Sequence, residues 1–370
     1  MFGRQHLDRA TKTSTQPLTF NSTLQFKTMV AKSTRPPFLC SNSSPMQDHI
    51  LGIDLGGTKV LAAVLDARGN IIARARAKTR AWREDDEVYA TIAGAGRRAL
   101  EAGGIEASDL GAVGVAAAGP IDFDTGYIIE GANLRFKNFP LGPRLAEDFG
   151  CPVVVENDVN AGAYGEFKAG AAREARDVLG MFIGTGIGGG LILNGEIYRG
   201  FSKAAGEIGH IIVKAGGPRC GCGNRGCLEA LASRTAMTRD IRKAIKRGYR
   251  GPVSKLLAKQ DQLSGKDLKS AYDAGDELVT KIVHRAAKSA GLGIGSLLNI
   301  FGPEMIVLGG GVIEAFGDDF VSRVETVARD IAFDINSKNA KITRAQLGDD
   351  AGVIGAAMLA RESMKGKGKK

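Results

Sequence analysis

Four residues in the middle of the chain carry donor atoms suited to a metal: His210, Cys220, Cys222 and Cys227, spaced H-x9-C-x-C-x4-C. One imidazole and three thiolates form a closed tetrahedral set for Zn²⁺. Gly221, Gly223 and Gly226 permit the tight turns that bring three sulfurs onto one ion. Four protein donors leave no position for a metal-bound water, so such a zinc is structural, not hydrolytic. At this level two other readings stay open. One is a redox centre, against which stands the absence of a C-x-x-C pair. The other is a group of thiols that lie together without a metal. Glu207 and Glu229 flank the cluster and either face the hydroxyls of a ligand or are surface charges.

A second candidate is "VVVENDVNAG", an apolar run that ends in Glu156, Asn157 and Asp158. An acid directly beyond a buried strand is either the N-cap of the helix that follows or a general base. Phosphoryl transfer to an alcohol requires a carboxylate that accepts the hydroxyl proton, with positioning and charge neutralisation supplying most of the remainder. Asn157 beside it can fix a hydroxyl by both donating and accepting.

Glycine turns are a third candidate. "DLGGTK" (54–59) and "GTGIGGG" (184–190) each join two apolar runs, and "LGGG" (308–311) follows a third. Such turns let backbone N–H groups approach a phosphate, and they also occur as ordinary hairpin turns. The P-loop spacing is absent, and a strand follows 184–190 where a dinucleotide fingerprint needs a helix. Three glycine turns together with Asp54, a carboxylate able to hold Mg²⁺ through water, make a nucleoside triphosphate a candidate ligand.

These residues need elements to position them. "ILGIDLGGTKVLAAVLDARGNIIARARAKT" reads as a three-stranded antiparallel meander, and "DVLGMFIGTGIGGGLILNGEIYRG" as a second hairpin about 130 residues later. "GAVGVAAAGPID", "PVVVEND" and "MIVLGGGV" are buried strands. Helical spacing runs through 85–102, "VNAGAYGEFKAG", 228–248, 266–300 and "GVIGAAMLARESM". Two similar halves predict a cleft between them, a favoured place for a ligand. The chain is expected to pass between the halves near 160–170 and 340–350.

Composition narrows the class. The 370 residues carry a net charge of +10. Six Lys/Arg against one Asp in residues 1–47, and Lys365, Lys367, Lys369 and Lys370, account for +9 of it. The remainder is nearly neutral, which argues against a nucleic-acid partner. No run of apolar residues is long enough to span a membrane. Five cysteines are too few for a disulfide scaffold, so a reducing, cytoplasmic setting is expected. Residues 1–47 are Ser/Thr-rich and read as a disordered extension, either transit-like or the product of an upstream start, with Met46 as the alternative beginning.

In order and spacing, "DLGGTK", "GVAAAGPID", "VVVENDVNAGAYGE", "FIGTGIGGG", "AAGEIGH", "RCGCGNRGCLEA" and "IVLGGGV" resemble the ROK family (repressor, ORF, kinase), and within it the bacterial-type glucokinases, over roughly residues 49–362. The resemblance implies an α/β, actin-like (ribonuclease-H-like) fold with two domains around a cleft. Its small domain would span 48–165, completed by a C-terminal helix at about 346–364. Its large domain would span 166–345 and carry the zinc loop 207–229. The implied activity is ATP-dependent phosphorylation of a hexose, most simply glucose, with Mg²⁺ and a structural zinc. N-acetylmannosamine, fructose, mannose or allose are alternative acceptors, and a sugar-responsive repressor is the alternative class. Asp158 is implied as catalytic base, and Asn133, Asn157, Glu207, His210 and Glu229 as sugar contacts. His210 would use one ring nitrogen for zinc and the other for a hydroxyl. Asp54, Gly56, Gly57, Thr58, Lys59, Gly184, Thr185, Gly186, Gly309, Gly310 and Gly311 would line the nucleotide. A homodimer or homotetramer is implied. Gly302 stands where many relatives carry Asn before the proline.

Overall fold

The computed structural model describes residues 49–79, 82–131 and 134–365. The expected disordered extension, and Asn133, lie outside them. The described residues form one compact unit.

The first sheet begins with the expected meander, β1 (His49–Leu55), β2 (Lys59–Leu65) and β3 (Ile71–Lys78). β1 then pairs in parallel with β4 (Leu110–Ala117), and β4 with a later strand that ends at Asn157. Between them lie a three-stranded ribbon, β5 (Ile121–Asp122), β6 (Tyr127–Glu130) and β7 (Lys137–Phe139), and then β8 (Val153–Asn157). The second sheet repeats the plan: β9 (Val178–Ile183), β10 (Ile187–Leu193) and β11 (Glu196–Ile197) are antiparallel, and β9 continues in parallel to β12 (Met305–Gly309) and β13 (Lys341–Arg344). The spatial orders, β3-β2-β1-β4-β8 and β11-β10-β9-β12-β13, are the same topology twice. This is the duplicated sheet of the expected actin-like fold.

Helices α1 (Asp85–Gly103) and α2 (Leu141–Phe149) complete the core on one face of the first sheet, around Leu51, Ile53, Ile92, Val113 and Leu145. α3 (Asp158–Ala169) follows β8 directly. The second half adds α4 (Glu229–Ala232), α5 (Arg234–Lys246), α6 (Pro252–Leu257), α7 (Gly265–Asp273), α8 (Glu277–Phe301), α9 (Gly311–Phe316), α10 (Asp318–Ile331) and α11 (Asp334–Asn339). The stretch expected as one helical run over 266–300 is broken between α7 and α8. Gly275, at φ +74°, ends the first, and the Asp276 carboxylate caps the second by accepting from Leu278 and Val279 N–H. The amphipathic α10 went unread in the sequence.

The last helix, α12 (Ala351–Lys365), lies on the first sheet through Ile50, Leu61, Val353 and Ala357. α3 packs on the second sheet through Ala163, Phe167, Val178 and Ile192. The two helices cross at contact distance. A Cβ at Gly355 would stand 1.7 Å from the Ala161 carbonyl oxygen, and one at Gly165 would stand 2.3 Å from that of Ala351. Only glycine admits so close an approach. Near this crossing the buried Glu166 binds three backbone N–H groups: Gln346 (2.9 Å) and Leu347 (2.7 Å) on Oε1, and Ala171 (2.8 Å) on Oε2. One carboxylate thus ties the segment after α3 to the segment before α12. These are the two stretches expected to carry the chain between halves.

Candidate active site

The parallel strands of both sheets end at one cavity, as ligand sites in α/β sheets do. Register sets this up. Asp54 near the end of β1 is level with Ala116 on β4, and Ala116 with Glu156 on β8. In the second sheet Phe182 on β9 is level with Gly309 on β12. A cavity of about 400 Å³ collects these ends; Asp54, Asp158, Phe182, Gly309, Arg344 and Asp349 are among its walls.

Asp158 opens α3, and the cap residue is its neighbour. The Asn157 side-chain oxygen accepts from Val159 N–H (3.0 Å) and Asn160 N–H (3.2 Å). The capping alternative for Asp158 therefore falls to Asn157, and Asp158 is left to face the cavity. Asp158 Oδ1 accepts from Val159 N–H (3.0 Å) and Asn157 Nδ2 (3.1 Å), and Oδ2 takes part in neither contact. Burial pushes the Asp158 carboxyl above the usual range; these donors oppose the shift and the charge of Glu207 adds to it. Glu207 is thereby placed within electrostatic reach of Asp158, although its side chain is 71 % exposed.

Asp54 is raised to about 7, first by burial and then by the charges of Asp158 and Asp349, against the pull of Lys59. Asp54 and Asp158, both raised by burial, thus share the cavity with Asp349, whose carboxyl Lys59 holds below the usual range. Lys59 Nζ lies 2.7 Å from Asp349 Oδ2 across 290 residues of sequence. Sequence reasoning missed Asp349. Its only signal is the "GDDAG" that precedes the last helix.

The glycine turns divide. Gly309, Gly310 and Gly311 line the cavity with Asp54 and Asp158. Gly310 takes φ +87° and passes over the end of β9, where a Cβ would stand 2.7 Å from Ile183 oxygen. Gly56, Gly57 and Thr58 are not among its walls. Their turn is closed by Gly56 N–H to Lys59 oxygen (3.0 Å) and anchored by the buried Thr79, whose hydroxyl donates to Gly56 oxygen (2.7 Å). The Gly184–Gly186 turn also lies outside the cavity lining. It is held by Arg234, which donates to the Thr185 hydroxyl, and by Glu229, whose Oε2 accepts from Ile187 N–H at 3.1 Å.

The four metal-type donors come together. One ligand atom from each of His210, Cys220, Cys222 and Cys227 lies within 4.8 Å of the other three. A tetrahedral zinc with ordinary bond lengths separates two thiolates by about 3.8 Å and a thiolate from an imidazole nitrogen by about 3.6 Å. Cys222 and Cys227 sulfurs are 3.7 Å apart, and Cys220 Sγ is 3.6 Å from His210 Nδ1. The donor set fits the metal in chemistry and in two of its edges. Glu229 Oε1 lies 3.7 Å from Cys220 Sγ, so this acid spans from the cluster to the 184–187 turn. His210 Nε2, the nitrogen away from Cys220, is 3.9 Å from Glu207 Oε2.

One neighbour of the site was not singled out. Glu156, just before Asn157, is 1 % exposed and binds Arg199 Nε (3.0 Å) and Nη2 (2.5 Å) through Oε2.

The ROK family profile matches residues 50–363. A glucokinase of Halalkalibacterium halodurans is 36% identical over 84% of this chain and 94% of its own. Among solved structures, the ROK hexokinase of Thermus thermophilus is similar with a TM-score of 0.74 and 34% identity, over 86% of this chain and 99% of that one. A ROK family glucokinase of Streptomyces griseus, solved with glucose and AMPPNP, is similar with a TM-score of 0.72 and 33% identity, over 85% and 99%.

Proposed function

The chain belongs to the ROK family, and from that premise and the geometry of its cavity we propose that it is an ATP-dependent hexose kinase with glucose as its preferred acceptor. The observation that carries this reading is the shared cavity. A buried carboxylate, Asp158, lines the same 400 Å³ as Asp54 and the Gly309–Gly311 turn.

In this reading Asp158 Oδ2 accepts the proton of the sugar hydroxyl as the phosphoryl group arrives. Burial raises its basicity, and the donors on Oδ1 hold the carboxylate in place. Asn157 orients the helix start and offers its amide to a second hydroxyl. Glu207 and Glu229 accept from further hydroxyls, and His210 Nε2 donates to one. Lys59 by its charge, and the Gly309–Gly311 turn that lines the cavity by its backbone N–H groups, receive the phosphates. Asp54 and its neighbouring carboxylates would face Mg²⁺ bound with ATP, which would neutralise the phosphates. His210, Cys220, Cys222 and Cys227 would hold Zn²⁺, which would fix the loop that carries Glu207 and Glu229; with Nδ1 toward the metal, His210 would keep its proton on Nε2. The two domains implied by the family, small and large, correspond in this reading to the two sheets with their helices.

Two lesser parts of the reading concern setting. Thiolate ligands favour a reducing compartment, which supports a cytoplasmic location, and no helix among the described residues is long and apolar enough to cross a membrane. Ile300, Phe333 and Ile335 stay 68–75 % exposed at neighbouring helix ends and support assembly as a homodimer or homotetramer.

A coupled assay over glucose, mannose, fructose, allose and N-acetylmannosamine, with MgATP and with polyphosphate, tests the proposal. It expects glucose with MgATP to give the highest kcat/KM. A higher value for another pair corrects the substrate, and turnover of none with retained glucose binding replaces the kinase by a sugar sensor.

A further inference from the structure

The proposed acceptor site is assembled from two stretches distant in sequence. Asn157 ends β8 of the first sheet and Asp158 follows it, while Glu207 and His210 follow β11 of the second. Sugar affinity depends on the spacing between them, which the packing of α3 on the second sheet and a set of polar contacts fix. Among those polar contacts the Glu156–Arg199 pair joins the two stretches directly. Glu156 Oε1 accepts from Asn157 N–H (3.0 Å) and Asn160 Nδ2 (3.0 Å), and its Oε2 takes both Arg199 nitrogens. The carboxylate is therefore bound to both ends of the Asn157–Asn160 turn. Arg199 lies two residues beyond β11, and its own carbonyl accepts from Ala205 N–H (2.9 Å). This bond closes the loop that delivers Gly206 and Glu207. Asn160 also borders Gly206: a Cβ at Gly206 would lie 4.0 Å from Asn160 Oδ1. The Arg199 guanidinium sits 5.2 Å from the Phe123 ring centroid, and Lys203 on the same loop pairs with Asp124.

We infer that Glu156 and Arg199 are positioning residues that set the distance between the Asp158 half and the Glu207–His210 half of the acceptor site. This rests on the hexose-kinase reading. The two residues touch no reacting atom; they act by holding the groups that do. A carboxylate 1 % exposed and bound to one guanidinium is also costly to strand, so stability and positioning must be separated by experiment.

Four variants separate them: Arg199→Met, Glu156→Gln, the two combined, and Arg199→Lys. Arg199→Met leaves a buried carboxylate without its partner and lowers Tm. The double variant removes that charge and regains most of the lost Tm. The sugar KM is expected to rise about tenfold or more in both, from the loss of a charge-assisted contact, while the KM for ATP stays within about twofold of wild type. Arg199→Lys, which keeps the charge without the fork, falls between. The inference is overturned if the double variant regains wild-type sugar KM together with Tm, or if both KM values rise by the same factor. Hydrogen exchange gives a readout independent of catalysis. Arg199→Met should speed exchange in both 157–160 and 205–210, and a change confined to one of them refutes the strap. If the wild-type chain phosphorylates no hexose, the functional reading fails while the exchange result still decides the coupling.

Discussion

Asp54→Asn is expected to make the ligand-free protein more stable, and increasingly so as pH rises. In the folded chain burial and the charges of Asp158 and Asp349 raise this carboxyl from 3.8 to about 7. Between those values the folded state keeps a proton that the unfolded state has lost. Stability from this group is therefore complete below about 3.8 and falls as pH rises, until the loss is full above about 7. The rise from 3.8 to about 7 corresponds to roughly 4 kcal/mol in total, more than half of it between pH 5 and pH 8. Asn has the same shape and carries no charge, so the variant lacks this slope. Urea titrations at about pH 5 and about pH 8, without divalent cations, should show the advantage of the variant growing by about 2–3 kcal/mol, equivalent to several degrees in Tm. Mg²⁺ with a non-hydrolysable ATP analogue should shrink the gap, because the cation supplies the missing countercharge. Parallel stability curves for the two proteins would refute the view that crowded carboxylates strain this site.

Three further outcomes follow from the same geometry. Purified protein should contain about one zinc per chain by elemental analysis. Cys227→Ala should lose it with a fall in Tm and in sugar affinity, whereas active protein without zinc would remove the metal from the account. Asn157→Ala removes the cap of α3 and should cost about 1 kcal/mol in urea unfolding, with a larger proportional loss of sugar affinity. Glu166→Ala strands the N–H groups of Ala171, Gln346 and Leu347 and should destabilise by about 3 kcal/mol or more; a change under about 1 kcal/mol would show that water replaces the carboxylate.

The first meander, the second hairpin, the strand ending in "END" and the Cys/His spacing were legible because each is a local pattern. Alternation, a glycine turn or a ligand interval needs only a short window of sequence. The cap at Asn157 was harder, since Asn, Asp and Glu stand side by side and all accept hydrogen bonds; only the backbone direction decides among them. Asp349 and the Glu156–Arg199 pair were illegible for a different reason. Their partners are 290 and 43 residues away, and an acid or arginine with no local pattern reads as a surface charge. The break before Asp276 was present in the sequence as a glycine and a capping acid, but the strong apolar period on either side concealed it.

Single-turnover kinetics of Asp158→Asn beside wild type, with glucose affinity measured by equilibrium binding on the same preparations, tests the central claim most directly. The account predicts glucose affinity close to wild type and phosphoryl transfer slowed by at least about 10²–10⁴, because the amide keeps the shape of the carboxylate and cannot accept the hydroxyl proton. Transfer at a rate near that of wild type would contradict it and remove Asp158 from the mechanism.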